Sequence, residues 1–382
     1  MDKKNKNPNV PNLRFPYKGD WHKRKLNEIC LFFKGNGLSK SDLSNEGFPC
    51  ILYGELYTTY KNEVISDIVS KTTITLSNPF LSKNNDLIIP GSGEDPIDIA
   101  VARAIYQNDI ILGGDLNVLR PKSNVSAAFL SYQLNGVRRY DIAKKAQGKS
   151  IVHLHNSDLK EICVSIPTYD EQLHIVKLLT KIDEMIETQS KIIDTLSSQK
   201  KQIRNLIFKD IHKNANCCIQ DYVIYEQPQK YIVHSTDYLS YGKDYTPVLT
   251  ANQSFILGYT LEKDGIYEKG DCIIFDDFTN ENKYVDFPFK VKSSALKILQ
   301  TKEGLMLKFF YEYLQFLNFE STDHKRHYLS EVAVTDISVP NLKEQTFVCK
   351  IFTSFDNKLK NEEALLEKYR LQKQFLLNNL FI

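Results

Sequence analysis

The sequence has no C-x-x-C pair among its seven cysteines, no H-E-x-x-H frame among its eight histidines, and a net charge of only +2 over 382 residues. It also lacks any apolar run long enough to span a bilayer. Each absence excludes something. Zinc and dithiol chemistry need closely spaced ligands, so reduced, structural cysteines and no metal site are expected. His153/His155 and His324/His327 have no cysteine neighbours, which predicts surface or hydrogen-bonding roles. The start MDKKNKNPNVPNLRFP has neither an apolar core nor a small-residue cleavage site, which predicts a cytoplasmic protein without membrane contact. An amino-methyltransferase needs an N/D-P-P-Y/F loop, and Asn78-Pro79-Phe80 has one proline and reads as a turn. Gly91-Ser92-Gly93-Glu94 lacks both the third glycine of a dinucleotide fingerprint and the Lys-Ser/Thr of a phosphate loop. Asp276, Asp277, Glu281 and Lys283 look like a magnesium-nuclease set, but their spacing is too compressed, and an acidic turn is expected instead. No catalytic site is predicted.

What is present is ordinary globular composition, 42% hydrophobic and 25% charged, with length for two domains. The main signal is an internal repeat. Residues 165 to 208 return without a gap as 338 to 381, at the constant offset that separates Pro167 from Pro340 and Phe208 from Phe381. Identical pairs include Ser165/Ser338, Glu171/Glu344, Gln172/Gln345, Asp183/Asp356, Lys200/Lys373 and Asn205/Asn378, far above chance for a stretch of this length.

Each copy opens with a β-like run ending in proline, CVSIP or DISVP, and continues as a long helix whose early Glu-Gln suits a first turn. The first seam runs Ile175, Leu179, Ile182, Ile186, Gln189, Ile193, Leu196, Lys200, Ile203; the second runs Val348, Phe352, Phe355, Leu359, Glu362, Leu366, Tyr369, Lys373, Leu376. Steps alternate between four and three, a heptad pattern, and polar breaks fall at the same two places in both. A polar residue inside a seam costs stability and can fix register, so shared breaks predict that the two helices pack on each other. About 40 residues at ~1.5 Å each make a rod of roughly 60 Å, longer than a helix needs merely to cover one domain.

Before each helix lies a block unlike the other. Both contain short β-rich runs, DLIIPGSG and NDIILGGDLNVLRP in the first and YTPVLT and DCIIFDDF in the second, and both end in a helical run, SAAFLSYQL or MLKFFYEYLQFL. Two local basic runs, Arg138 to Lys149 and Lys283 to Lys302, each carry five basic residues against one aspartate and predict a phosphate-tracking groove.

The order Trp21-x4-Leu26, a variable block, SAAFLSYQL, AQGKS, DLKEICVSIPTYDEQLHIV and a long helix resembles the specificity subunits of Type I restriction-modification systems. The second block, with YEQPQKYIV, PVLTANQSFILGYT and IIFDDFTNENKYVDFPFKVKSSALKIL, is similar to a target-recognition domain of that family, although AQGKS has no twin there and ESTDHKR stands instead. The resemblance implies an α+β fold: two β-rich target-recognition domains separated by two long antiparallel coiled-coil helices, related by a pseudo-two-fold repeat. The expected organisation is a flexible tail over 1–16, a first recognition domain over 17–166, a spacer helix over 167–212, a second recognition domain over 213–339 and a second spacer helix over 340–382. It further implies that each domain reads half of a bipartite site on double-stranded DNA, and that the helices act as a ruler. Two modification subunits would carry S-adenosylmethionine and methylate adenine; two restriction subunits would use ATP and Mg2+; this chain would hold no cofactor.

Base readout needs paired donors and acceptors on exposed loops. The candidates are Tyr53, Glu55, Tyr57, Thr58, Thr59, Tyr60, Lys61, Ser92 and Glu94 in the first block, and Gln227, Lys230, Thr250, Asn252, Gln253, Thr279 and Asn280 in the second. Arg138, Arg139, Lys144, Lys145, Lys149, Lys325 and Arg326 are the candidates for phosphates, which position without specifying sequence. The competing reading is a coiled-coil adaptor that binds proteins and not DNA.

Overall fold

The computed structural model describes residues 9–242, 244–251, 254–319 and 326–382. Four helices organise it: α1 (Ala127–Asn135), α2 (Tyr169–His212), α3 (Leu307–Leu317) and α4 (Leu342–Leu380). None of the described helices is long and apolar enough to cross a membrane. Contacts divide the chain into two compact units, 1–190 with 364–382, and 191–363. These units cut through both long helices near their middles, whereas the boundaries expected from sequence keep each helix whole. The physical reason is that each block is closed by the start of its own helix together with the end of the other.

In the first unit, a five-stranded sheet runs Cys30–Lys34, Leu116–Pro121, Asp86–Pro90, Arg103–Ile105, Val64–Ile65 in spatial order. Asp86–Pro90 is buried at every position, as an apolar run in a central strand should be. Helix α1 covers this sheet and is buried from Ala127 to Leu134, which explains its apolar character all round. Ser126 caps it by accepting from the Phe129 amide. Helix α2 starts behind Pro167 with Asp170 and Glu171 in its first turn, where the helix dipole favours them. Ile175, Leu179 and Ile182 of α2 share one apolar cluster with Leu376, Leu380 and Phe381 at the end of the chain, and with Trp21, Phe129 and Tyr132 of the block. The described part of the expected flexible tail is not loose. The Leu13 amide donates to the Asn379 carbonyl at 2.9 Å, and Arg14 pairs with buried Glu171 at 2.7 Å.

The second unit repeats this frame on different residues. A four-stranded sheet runs Val223–Glu226, Leu296–Thr301, Cys272–Asp276, Asn282–Val285, and α3 packs over it. The strand pair that opens and closes each block is present twice: His22–Lys25 with Cys163–Ile166, and Cys217–Cys218 with Asp336–Ile337. Gln172 accepts from the Ser126 amide and donates to the carbonyls of Asn124 and Pro167; Gln345 accepts from the Met306 amide and donates to those of Gly304 and Pro340. Asn124 and Gly304 both take the left-handed φ, 67° and 93°, that this turn demands. The glutamine shared by both copies thus ties each long helix to the entrance of its own block's helix.

The polar breaks in the seams have equally matched partners. In the first unit Lys373 lies 2.7 Å from Asp183 and 2.6 Å from Glu63, and the Tyr132 hydroxyl donates to Asp183 at 2.6 Å. In the second unit Lys200 lies 2.5 Å from Asp356 and 3.1 Å from Glu312. Burial raises the pKa of Asp183 above the ordinary aspartate value against the pull of Lys373. Burial opposes ionisation of Asp356 too, but hydrogen bonds from Lys200 and Lys308 outweigh it and hold its pKa below that value. The fourteen apolar seam positions, from Ile175 to Ile203 and Val348 to Leu376, are all buried or half-buried.

Candidate nucleic-acid interface

Segment 53–61 of the first block forms a helical turn, Glu55–Thr58, between short strands. Tyr53, Thr58 and Thr59 line a groove of about 720 Å3 together with Leu38, Ser39 and Lys40. Thr58 and Thr59 are exposed and Tyr53 half-buried, although the Thr58 hydroxyl already donates to the Gly54 carbonyl at 2.9 Å and lies 3.3 Å from the Thr59 hydroxyl. Ser39 and Lys40 were missed from the sequence; the signal available was the polar run Ser39–Ser44 that follows Gly35-Asn36-Gly37.

Not every expected reader is free. Glu55 also lines the groove but accepts from the Leu52 amide at 2.7 Å and from the Ser70 hydroxyl, which fixes the turn. Tyr60 is buried, its hydroxyl accepts from the Val69 amide, and burial pushes its pKa up to about 12. Ser92 is buried and donates to Asp115. Burial likewise raises the pKa of half-buried Tyr57, while Lys61 and Glu94 remain exposed.

The basic run after α1 splits in two. Arg138 donates to the Ile382 carbonyl and pairs with Asp141, and Arg139 donates to the Ile97 carbonyl, so both half-buried guanidiniums are tied into the fold. Lys144, Lys145 and Lys149 are exposed. Lys149 sits in the turn of a small hairpin, Gln147–Gly148 against Val152–His153. Gly148 has φ 140°, and a Cβ there would strike the Ile151 carbonyl oxygen, so glycine is what lets AQGKS turn. His153 and His155 alternate outward along the same segment with their rings stacked 6.2 Å apart.

In the second block the expected basic groove does not form. Lys290 is buried against Glu262 at 2.7 Å and Lys297 against Asp277 at 3.1 Å, while Lys302 donates to the carbonyls of Gln220 and Asp221. Of that run Lys292 and Lys302 are exposed and Lys283 is half-buried. Burying Lys290 and Lys297 requires carboxylate partners, and Glu262 and, from the acidic loop, Asp277 supply one each. Asp277 also accepts from the Tyr328 amide, and Asp276 accepts from the amides of Phe278 and Thr279, an Asx-type turn. The nuclease-like carboxylates therefore hold a turn and an ion pair. Thr279 is exposed at the mouth of a hollow of about 300 Å3 lined also by Asn280, Lys283 and Gln315, but the Asn280 side chain is buried. Lys230 is exposed, Gln227 and Thr250 are half-buried, and exposed Arg326 lies 5.8 Å from the Phe278 ring. Asn252, Gln253 and Lys325 lie outside the described residues.

Residues 18–198 match the sequence model of a family described as the Type I restriction modification DNA specificity domain. Over 123 residues, 30% of each chain, the protein is 48% identical to the specificity subunit of the Type I restriction enzyme EcoR124I/EcoR124II from Escherichia coli. Over 205 residues it is 23% identical to the putative Type I restriction enzyme MjaX specificity subunit from Methanocaldococcus jannaschii, covering 50% of this chain and 45% of that one. The matches thus span less than half the length of these curated relatives. Its fold resembles that of the S subunit of a Type I restriction-modification system from M. genitalium, with a TM-score of 0.66 at 18% identity, covering 98% of this chain and 99% of that chain. The chain is thus similar to Type I restriction-modification specificity subunits, in sequence over just under half of its length and in fold over nearly all of it.

Proposed function

We propose that the chain reads a bipartite DNA target and directs adenine methylation or cleavage by partner subunits, without chemistry of its own. The observation that carries this reading is the repeat, which sets matched supports under two unlike blocks in a chain similar to Type I specificity subunits. The first block reads one half-site with Tyr53, Thr58 and Thr59, with Ser39 and Lys40 at the same groove; the second reads the other half with exposed or half-buried groups such as Gln227, Lys230 and Thr279. Lys144, Lys145 and Lys149 hold phosphates. Two modification subunits supply S-adenosylmethionine, and restriction subunits supply ATP- and Mg2+-dependent cleavage. Exposed apolar side chains on the long helices, including Leu206, Phe347, Leu371 and Phe375, offer these partners a surface.

Binding to cognate duplex, in complex with modification subunits, tests the reading. Affinity should fall steeply with salt, whereas an apolar protein adaptor would show no such dependence. Replacing Lys144, Lys145 and Lys149 together with alanine should weaken cognate and non-cognate duplexes alike. Each lost phosphate contact should flatten the log K against log salt slope by about 0.9. An unchanged slope, or a loss confined to one sequence, would remove these lysines from the phosphate set.

A further inference from the structure

We infer that Lys200 and Lys373 fix the register of the two long helices and thereby select the spacer length between half-sites. The inference rests on the functional reading above and adds the residues that enforce it. A heptad seam of Ile, Leu, Val and Phe looks much the same after a slip of seven residues, so apolar contacts alone discriminate weakly between registers. A largely enclosed ammonium does not tolerate such a slip, because leaving it without carboxylates is costly; the Lys200 and Lys373 side chains are 12% and 17% exposed. Each lysine here has two: Asp183 and Glu63 for Lys373, Asp356 and Glu312 for Lys200.

In both cases one carboxylate comes from the opposite long helix and the other from the block beneath it. The crossing is reciprocal, since α2 gives the aspartate in one unit and the lysine in the other, and α4 does the reverse. The same number of residues separates Asp183 from Lys200 as separates Asp356 from Lys373. Both pairs are therefore satisfied by one antiparallel register, and a slip of either helix breaks both. A slip of one heptad moves a helix by about 10 Å, which is about three base pairs at ~3.4 Å per base pair. Lys200 and Lys373 are thus positioning residues that act on spacing without touching DNA.

The test uses the full chain co-expressed with its modification subunits. Methylation-sensitive genome sequencing reads the spacers of methylated sites, and electron-spin distance measurement between labels at Lys181 and Leu371 reads the register directly in the purified chain. Wild type should give one spacer and one narrow distance. Lys373→Met should add sites whose spacer differs by about three base pairs and a second distance population; Asp183→Lys combined with Lys373→Asp should restore the single spacer and distance. A Lys373→Met chain that folds and keeps one distance and one spacer overturns the inference. Should Lys373→Met fail to fold, the isosteric Asp183→Asn is read in its place, and a single unchanged distance overturns the inference equally. A wild-type methylome without any bipartite motif would instead defeat the functional reading, while the distance measurement would still decide the lock.

Discussion

Replacing Glu312 with alanine is expected to destabilise the second unit by about 3–5 kcal/mol, the cost of removing one partner from a buried ion network. The Glu312 side chain is fully buried on α3, and Arg204 donates to it from two nitrogens at 2.7 and 2.9 Å. Lys200 and Lys308 approach its other oxygen at 3.1 and 3.2 Å as charge contacts that are not aligned as hydrogen bonds. Without Glu312, Lys200 and Lys308 keep only Asp356, and Arg204 loses the carboxylate to which it donates. Denaturant unfolding followed by circular dichroism should show a transition shifted to much lower denaturant. A loss below about 1 kcal/mol would mean that the cluster is hydrated and contributes little.

Replacing Trp21 with alanine should cost a similar ~3–5 kcal/mol, but in the first unit. The indole is buried against Phe129 and Phe381, with ring centroids 5.7 and 6.3 Å away, and its Nε1 donates to buried Glu171 at 3.2 Å. The cavity left behind would loosen the end of α4 and strip a hydrogen bond from a carboxylate that Arg14 alone would then hold. The variant loses the chain's one tryptophan, so hydrogen exchange by mass spectrometry is the suitable measurement. Faster exchange should be concentrated in residues 9–190 and 364–382. Equal loss of protection across 191–363 would show that the two units unfold as one and that their separation has no energetic meaning.

The sequence is most legible where physics repeats it. A constant offset, two seams with matching breaks and two proline-led entries were enough to foresee Tyr169–His212 and Leu342–Leu380 as long helices. The apolar runs at 86–90, 116–121, 246–249 and 272–276 became strands because burial on both faces needs no alternation. The kinship of the two blocks was harder to see. It survives at Leu116/Leu296, Leu119/Leu299, Lys122/Lys302, Phe129/Phe309 and Leu134/Leu314, positions fixed by core packing or by the lysine's hydrogen bonds to backbone carbonyls at the sheet edge, while surface positions between them are free to diverge.

Charge was the least legible property. A run of basic residues looks the same in sequence whether it faces solvent, as Lys144 and Lys149 do, or is neutralised inside the fold, as Lys290 and Lys297 are by acids distant in the chain. The same limit applies to the readers. Residue type suggested Tyr60, Ser92 and Asn280 as readily as Thr58 and Thr59, and only burial separates them.

Exchanging residues 217–329 for the corresponding block of a Type I specificity subunit, then sequencing the methylated genome of a strain carrying the hybrid with its modification subunits, tests the central claim most directly. The account predicts a bipartite adenine-methylated motif in which one half and the spacer stay as in wild type and the other half changes. A motif altered in both halves, or methylation that ignores the exchange, would contradict it.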